Sequence, residues 1–285
     1  MLNLAGIAVE GESTGGLGTC IRLPGHGVVL DIGLCPRAAI PIPTVLVSHA
    51  HMDHLGCLAM HCATRSLMAM GPPTYVLPEP LLPDVEALLA AWRQLDGSRL
   101  PCRLVPVRPG QSVPLSPTTR VDVLPALHRP PSVGYAIMSL KHKLRPEYLD
   151  LPGHRIRELK LAGEPVTDPF WSADVAFTGD TLLEVIDMDP RFLQARLLIL
   201  ETTFLDDRVS VEACRDKGHV HLDEVIAREA CFRNRAILMT HFSARYTHAE
   251  VRALLEQRLP PTLKARITPL LPPASEGKAL ALPHP

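Results

Sequence analysis

Short apolar runs separated by glycine, proline and small polar residues mark the first half of the chain, and their spacing is that of strands. Residues 4–10 (Leu-Ala-Gly-Ile-Ala-Val-Glu) predict a first strand and the Gly/Ser/Thr-rich residues 11–18 a loop. Residues 19–23 and 27–31 predict a hairpin about Pro24-Gly25-His26, and the β-branched run 44–48 a buried strand. Residues 55–70 carry helical spacing, 74–77 a strand, and 85–95 a helix stopped by Asp96-Gly97. Further strands are predicted at 103–107, 121–124, 135–140, 175–178, 197–201 and 236–240, with helices at 223–231 and 248–259. Residues 142–170 mix proline and charge without periodicity, which predicts an excursion from the sheet rather than a second domain.

Strands in two groups with helices outside them imply a layered α/β sandwich. The polar exceptions to the pattern are ordered too. Asp31, His49, His128, Asp180, Glu201 and His241 each come at the end of an apolar strand or just after it. Six such residues at strand ends predict one shared edge of a sheet pair, where a site belongs.

Composition excludes more than it selects. Twenty-nine Lys+Arg against 30 Asp+Glu leave no global field to draw the chain onto nucleic acid or membrane, so any recognition of an anion must be local. The N-terminal residues lack the basic start of a secretory signal, and no apolar stretch reaches the length of a membrane span. Seven cysteines with no CxxC pair then predict reduced, mostly buried thiols in a cytoplasmic protein. Cys57 and Cys62 belong with the core.

The densest chemistry is His49-Ala50-His51-Met52-Asp53-His54. His49 and His51, two apart in an extended segment, face one side, and Asp53 and His54 follow as the chain turns into a helix. Packing does not explain three imidazoles and a carboxylate in an apolar strand-to-helix turn, because their desolvation needs partners. Four ligand-type residues in six positions exceed what one tetrahedral ion uses, and the economical reading is two ions.

This run resembles the signature of the metallo-β-lactamase superfamily, and the resemblance extends along most of the chain. Val29-Leu30-Asp31-Ile32-Gly33 resembles the segment whose Asp braces the metal loop, Leu127-His128 supplies a further histidine, Phe177-Thr178-Gly179-Asp180-Thr181 resembles the segment of the bridging aspartate, and Leu238-Met239-Thr240-His241 supplies the last histidine. The resemblance implies a four-layer αββα sandwich over residues 1–285, with a short inserted lid or reduced arm at about 141–170. It implies two zinc ions, with manganese or iron as substitutes. One is held by His49, His51 and His128 and the other by Asp53, His54 and His241, with Asp180 between them and Asp31 orienting a histidine. Two such ions, two aspartates and a metal-bridging hydroxide leave a residual +1, which suits an anionic substrate such as a phosphodiester.

Segments outside the ligands narrow the class. Pro131-Ser132-Val133-Gly134-Tyr135, Leu200-Glu201-Thr202-Thr203-Phe204, Lys217-Gly218-His219-Val220-His221 and Thr240-His241-Phe242-Ser243-Ala244-Arg245-Tyr246 together resemble ribonuclease Z and related tRNA 3′-end endonucleases and phosphodiesterases. By that resemblance Asp53, His219 and Glu201 are catalytic, although Leu200 stands where the family has His, and Val220-His221 where it has Ser-Thr. Glu201 would keep His219 protonated for donation to a leaving alkoxide. Asp53 would orient the attacking hydroxide, and Ser243 and Arg245 would grip a phosphate. His26, His61, His142, His154, His248 and His284 are assigned structural or exposed roles.

The interval that holds the family's tRNA-grasping arm is short here and lacks its Gly-Pro signature; from 141 to 166 it carries six Lys/Arg against four Asp/Glu. Without a strong basic footprint or interleaved aromatics, the substrate stays open between a tRNA precursor and a small nucleotide. Relatives commonly dimerise, which makes a homodimer an expectation. Two other classes stay open: a hydrolase of the same fold acting on a thioester, lactone or other carbonyl ester, and a metal-retaining RNA- or nucleotide-binding protein without catalysis.

Overall fold

The computed structural model describes residues 1–271; His284 and the rest of the C-terminal stretch lie outside the described residues. Its first sheet runs in chain order through β1 (Leu2–Leu4), β2 (Ile7–Gly15), β3 (Gly18–Leu23), β4 (Val28–Leu30), β5 (Thr44–Leu46), β6 (Thr74–Pro78) and β7 (Arg103–Val107). The strands through β4 pair antiparallel, and β4 to β7 pair parallel. Parallel neighbours need crossovers, and helices supply two of them. α1 (Met52–Leu55) and α2 (Leu58–Leu67) join β5 to β6, and α3 (Leu82–Asp96) joins β6 to β7 before Gly97 closes it at a left-handed φ of 68°.

The second sheet is built from β8 (Ser112–Ser116), β9 (Thr119–Pro125), β10 (Val133–Leu144), β11 (Thr167–Phe177), β12 (Leu197–Glu201), β13 (Ala236–Thr240) and, after the short β14 (Phe242–Ser243), β15 (Ile267–Pro269). Its order is β15-β13-β12-β11-β10-β9-β8, while β14 crosses to pair with β2 of the first sheet.

Strands buried on both faces sort their side chains with period two. Leu46, Val76, Leu197, Ile199 and Leu238 meet between the sheets. Their neighbours Val45, Tyr75 and Leu77 face α2 and α3, and Leu198, Leu200 and Met239 face the helices of the second half. Three apolar seams between four layers give the αββα sandwich. Among the described residues no helix is long and apolar enough to cross a membrane.

Several segments depart from the sequence reading. Residues 11–15, expected as loop, continue β2, because Glu12, Ser13 and Thr14 pair with β3 and Thr14 with Phe242 of β14. The edge strands β8 and β15 were not expected; each carries a proline, which sheet edges tolerate. Residues 142–170 are partly strand: β10 and β11 stay paired out to Leu144 and Thr167, with the helix Gly153–Leu161 between them. His128 and Asp180 flank the opposite ends of these strands, so about 30 Å of ribbon separates the excursion from them. The ion pairs Arg145–Asp168 and Arg155–Glu158 are internal to it.

Candidate metal centre

The β5 strand ends at Leu46, and the chain carries His49 and His51 over the sheet edge before α1 presents Asp53 and His54. This turn is docked on the segment after β4. Ile32 N–H donates to the His54 carbonyl at 2.7 Å, and Cys57 N–H to the Ile32 carbonyl at 2.9 Å. Asp31 is buried and accepts from Ser48 N–H at 2.7 Å and Ser48 Oγ–H at 2.8 Å, while its Oδ2 lies 2.7 Å from His54 Nδ1. Both Asp31 and His241 hold left-handed φ, 57° and 61°. That conformation costs a side-chain-bearing residue about 1 kcal/mol and recurs where surroundings force a functional geometry. Here the restraints are the Ser48 bonds to Asp31 and the bond from His241 N–H to Ser13 Oγ at 3.0 Å.

Gly33 makes this docking close. A Cβ there would come within 1.8 Å of the Asp53 carbonyl oxygen and 2.8 Å of the His54 nitrogen, both backbone atoms that no rotamer change removes. Gly33→Ala is therefore expected to push the ligand turn off its seat, costing about 1–3 kcal/mol of stability and lowering bound metal. Thermal unfolding and metal content measured on the same preparation check this; an unchanged melting temperature with full metal would refute it.

Donor atoms converge in two adjoining groups, His49 with His51, His128 and Asp180, and Asp53 with His54 and His241; within each they lie within 4.8 Å of one another. Asp180 also groups with His219 and His241. Its Oδ2 is 3.6 Å from His49 Nε2, 3.4 Å from His54 Nε2 and 3.3 Å from His241 Nε2. Four imidazoles are turned the same way by the partner of the other ring nitrogen. His49 Nδ1 meets Ser48 Oγ (3.0 Å), His54 Nδ1 meets Asp31, His128 Nδ1 meets the Gly218 carbonyl (2.9 Å), and His241 Nδ1 meets Thr203 Oγ1 (2.9 Å). Each therefore aims Nε2 into the cluster, as in metal-ligating histidines.

The donor set fits cations. His49 Nε2 is buried without a hydrogen-bond partner, a cost that an ion removes. His54 Nε2 and His241 Nε2 are 3.2 Å apart, and His128 Nε2 and His51 Nδ1 3.4 Å apart, so acceptor lone pairs face each other unless positive charge lies between. Burial pushes the His49 pKa well below its ordinary value, with neighbouring His54 adding to the effect, so that ring is a neutral donor. Burial also opposes protonation of His54, yet Asp180 and Asp31 raise its pKa well above normal; the buried carboxylates demand positive charge here. Burial likewise opposes ionisation of Asp53, but His241, His54 and the Gly16 N–H at 2.7 Å hold its carboxyl well below the usual range.

Beside the cluster stands His219. Its Nδ1 is 3.1 Å from Glu201 Oε1 and 3.9 Å from Asp180 Oδ2. Burial opposes its protonation, and the charge and hydrogen bond of Glu201, followed by Asp180, overcome this and raise its pKa to about 8. Glu201 is itself fixed by Thr181 N–H (3.1 Å) and by Thr203 N–H and Oγ–H (3.2 and 2.8 Å). Leu200 packs with the helix-side core, so the residue before Glu201 points away from the cluster. His221 does not join the site: it is buried and caps the helix Leu222–Ala227, closing a capping box with Glu224. Ser243 lies next to Gly15 across the β14–β2 pairing, near the Gly16 contact with Asp53. Arg245 is exposed and makes no ion pair among the described residues.

Thr203, Gly16, Ser48 and Gly218 escaped the sequence reading as site residues. Thr203 joins Glu201 to His241 through one hydroxyl; the only hint of it was its place beside Glu201. Gly16 and Gly218 act through backbone groups, which leave no side-chain signature.

The chain is similar to known proteins along most of its length. The profile of the beta-lactamase superfamily domain matches residues 34–242. The tRNase Z TRZ1 of Arabidopsis thaliana is 41% identical over 268 residues, spanning 93% of this chain and 95% of that protein. The chloroplastic tRNase Z TRZ2 of the same plant is 37% identical over 272 residues, 94% of this chain and 76% of that one. Among solved structures, human tRNase Z, short form, superposes with a TM-score of 0.57 at 17% identity over 82% of this chain and 92% of the human one, a likeness of fold.

Proposed function

We propose, for a chain that belongs to the β-lactamase superfamily and within it to the tRNase Z family of metal-dependent hydrolases, that it cleaves phosphodiester bonds in RNA, with the 3′ ends of tRNA precursors as its natural substrate class. The observation that carries this reading is the Glu201–His219 pair at the rim of the ligand cluster. A phosphodiester expels an alkoxide, which needs a proton, and a buried imidazole kept cationic by a carboxylate is suited to give it. A thioester, whose thiolate departs without a proton, has less need of one.

Two zinc ions are the proposed cofactors, one on His49, His51 and His128 and one on Asp53, His54 and His241, with Asp180 shared. When bound they supply water activation at neutral pH and charge to offset that developing on the phosphoryl oxygens. The protein's own part is then definite. Asp53, held ionised, accepts a hydrogen bond from the attacking water and sets its direction. His219 donates to the leaving oxygen. Ser243, opposite Gly15 across the β14–β2 pairing, and the exposed Arg245 two residues on would grip a phosphate beyond the cut.

The position of the 141–170 ribbon, at the far end of the strands from this chain's own ligands, supports an arm over a lid. It suits a homodimer in which one copy's arm meets RNA bound at the other's site. The reading takes the chain as one unit, working in the cytoplasm.

Turnover by the metal-loaded protein decides it. Bis-p-nitrophenyl phosphate and a tRNA precursor with a 3′ trailer are expected to be cleaved, and a chelator to stop both reactions. Silence on both, with turnover of a thioester, lactone or β-lactam, would overturn the proposal.

A further inference from the structure

A groove of about 610 Å³ opens on the same sheet edge as the ligand cluster, and no role described above uses it. Pro78 at the end of β6, Pro80 in the turn Glu79–Leu81 that follows it, Pro83 in the first turn of α3, Pro109 after β7 and Pro131 after β9 supply half of its lining. Val107 and Val133, both buried, close its base. We infer that this proline-lined groove seats the nucleobase adjoining the scissile phosphodiester. The inference rests on the phosphodiesterase reading above and names a binding surface that it lacks.

Continuity with the metal centre identifies the occupant. Pro131 follows His128 by three residues, so the groove begins within about 10 Å of chain from a ligand. On the other side Val133 N–H donates to the Ser48 carbonyl at 3.0 Å, immediately before His49. This shared wall leads from the cluster into the groove, and one of the two nucleosides of a phosphodiester held at the cluster would lie along it. The volume suits a small-ligand pocket rather than a helix or a strand of protein.

The lining chemistry suits a base. Proline rings are flat-sided, apolar and nearly free of rotamer entropy, and they carry no N–H. Such walls receive the face of a planar ring and cannot hydrogen-bond to it. Phe, Tyr and Trp, the usual stacking platforms, are absent from the groove, in keeping with an aromatic content of 4%. Side-chain donors and acceptors for the base edge come from the Ser132 hydroxyl and from the Arg108–Glu79 pair. Arg108 Nη2 donates to Glu79 Oε1 at 2.8 Å, and the side chains are 70% and 40% exposed. An exposed pair of this kind separates at small cost, freeing a guanidinium fork for acceptors on a base edge.

Two esters that share a leaving group test the inference. Thymidine 5′-(p-nitrophenyl phosphate) carries a base, and methyl p-nitrophenyl phosphate does not. In Pro83→Trp, which fills the groove from an exposed helix start, and in Arg108→Ala, KM for the thymidine ester is expected to rise about tenfold. Rates on the methyl ester are expected to match those of the unaltered enzyme. Should Pro83→Trp fail to fold, Arg108→Ala carries the test, since its side chain is mostly in solvent. Unchanged KM for the thymidine ester in the folded variants, or an equal loss on both esters, would refute the groove and leave the phosphodiesterase reading standing. If the unaltered enzyme hydrolyses neither ester, both fall.

Discussion

Asp180→Ala is expected to lower phosphodiester hydrolysis by about three orders of magnitude or more and to reduce bound metal from about two ions per chain to about one or fewer. Among the described residues no other carboxylate reaches as many of the donors: its Oδ2 lies within 4 Å of His49, His54, His219 and His241. Both proposed ions depend on it, whereas removing His51 takes an exposed donor from one of them. The charge matters as much as the atom. Burial opposes ionisation of Asp180, yet the surrounding imidazoles hold its pKa well below normal, so the site has stabilised an anion at that point. Asp180→Asn keeps the shape and removes the charge, and is expected to fail nearly as badly. Metal content and kcat read on both variants separate the cases. Full metal with near-normal turnover in Asp180→Asn would show that the charge does not hold the site together.

How much of this was legible in the sequence depends on whether an interaction is local in the chain. His49 to His54 lie within one turn, and their density alone implied metal. Asp180 and His241 were visible because buried parallel strands read as apolar runs, which makes the polar residue at each end conspicuous. The restraints on those ligands were not visible. Thr203 reaches His241 across 38 residues, Gly16 reaches Asp53 across 37, and Gly218 receives His128 across 90. The last two act through the backbone, and no residue type signals that. Patterns failed similarly at residues 11–15, where Gly, Ser and Thr read as loop although both neighbouring strands pair with them. Beyond Leu140 the β10–β11 ribbon turns intermediate to exposed and loses the apolar alternation that betrays a strand. His221, which stands with Val220 where the family has Ser-Thr, caps a helix through its His-x-x-Glu spacing to Glu224, a capping signal that the sequence reading left undrawn.

His219→Ala is expected to cost about two to four orders of magnitude in kcat on a dinucleotide or a tRNA precursor, with KM little changed. On bis-p-nitrophenyl phosphate the same variant is expected to lose less than about tenfold, because p-nitrophenolate is a good enough leaving group to depart without a proton. The contrast distinguishes a proton donor from a structural histidine, whose loss would disturb the ligands and slow both substrates alike. Glu201→Gln should reproduce it in weaker form. The amide oxygen still accepts from Thr203 N–H and Oγ–H, which hold the loop, while the Thr181 N–H loses its acceptor; the charge 3.1 Å from His219 is gone and the imidazole loses the partner that holds its proton. Metal content should stay whole in both variants, since the five imidazoles and two aspartates of the two ligand groups are all retained. Equal losses on the alkoxide and p-nitrophenolate substrates, with metal intact, would remove His219 from the reaction and leave the leaving oxygen to be protonated by water.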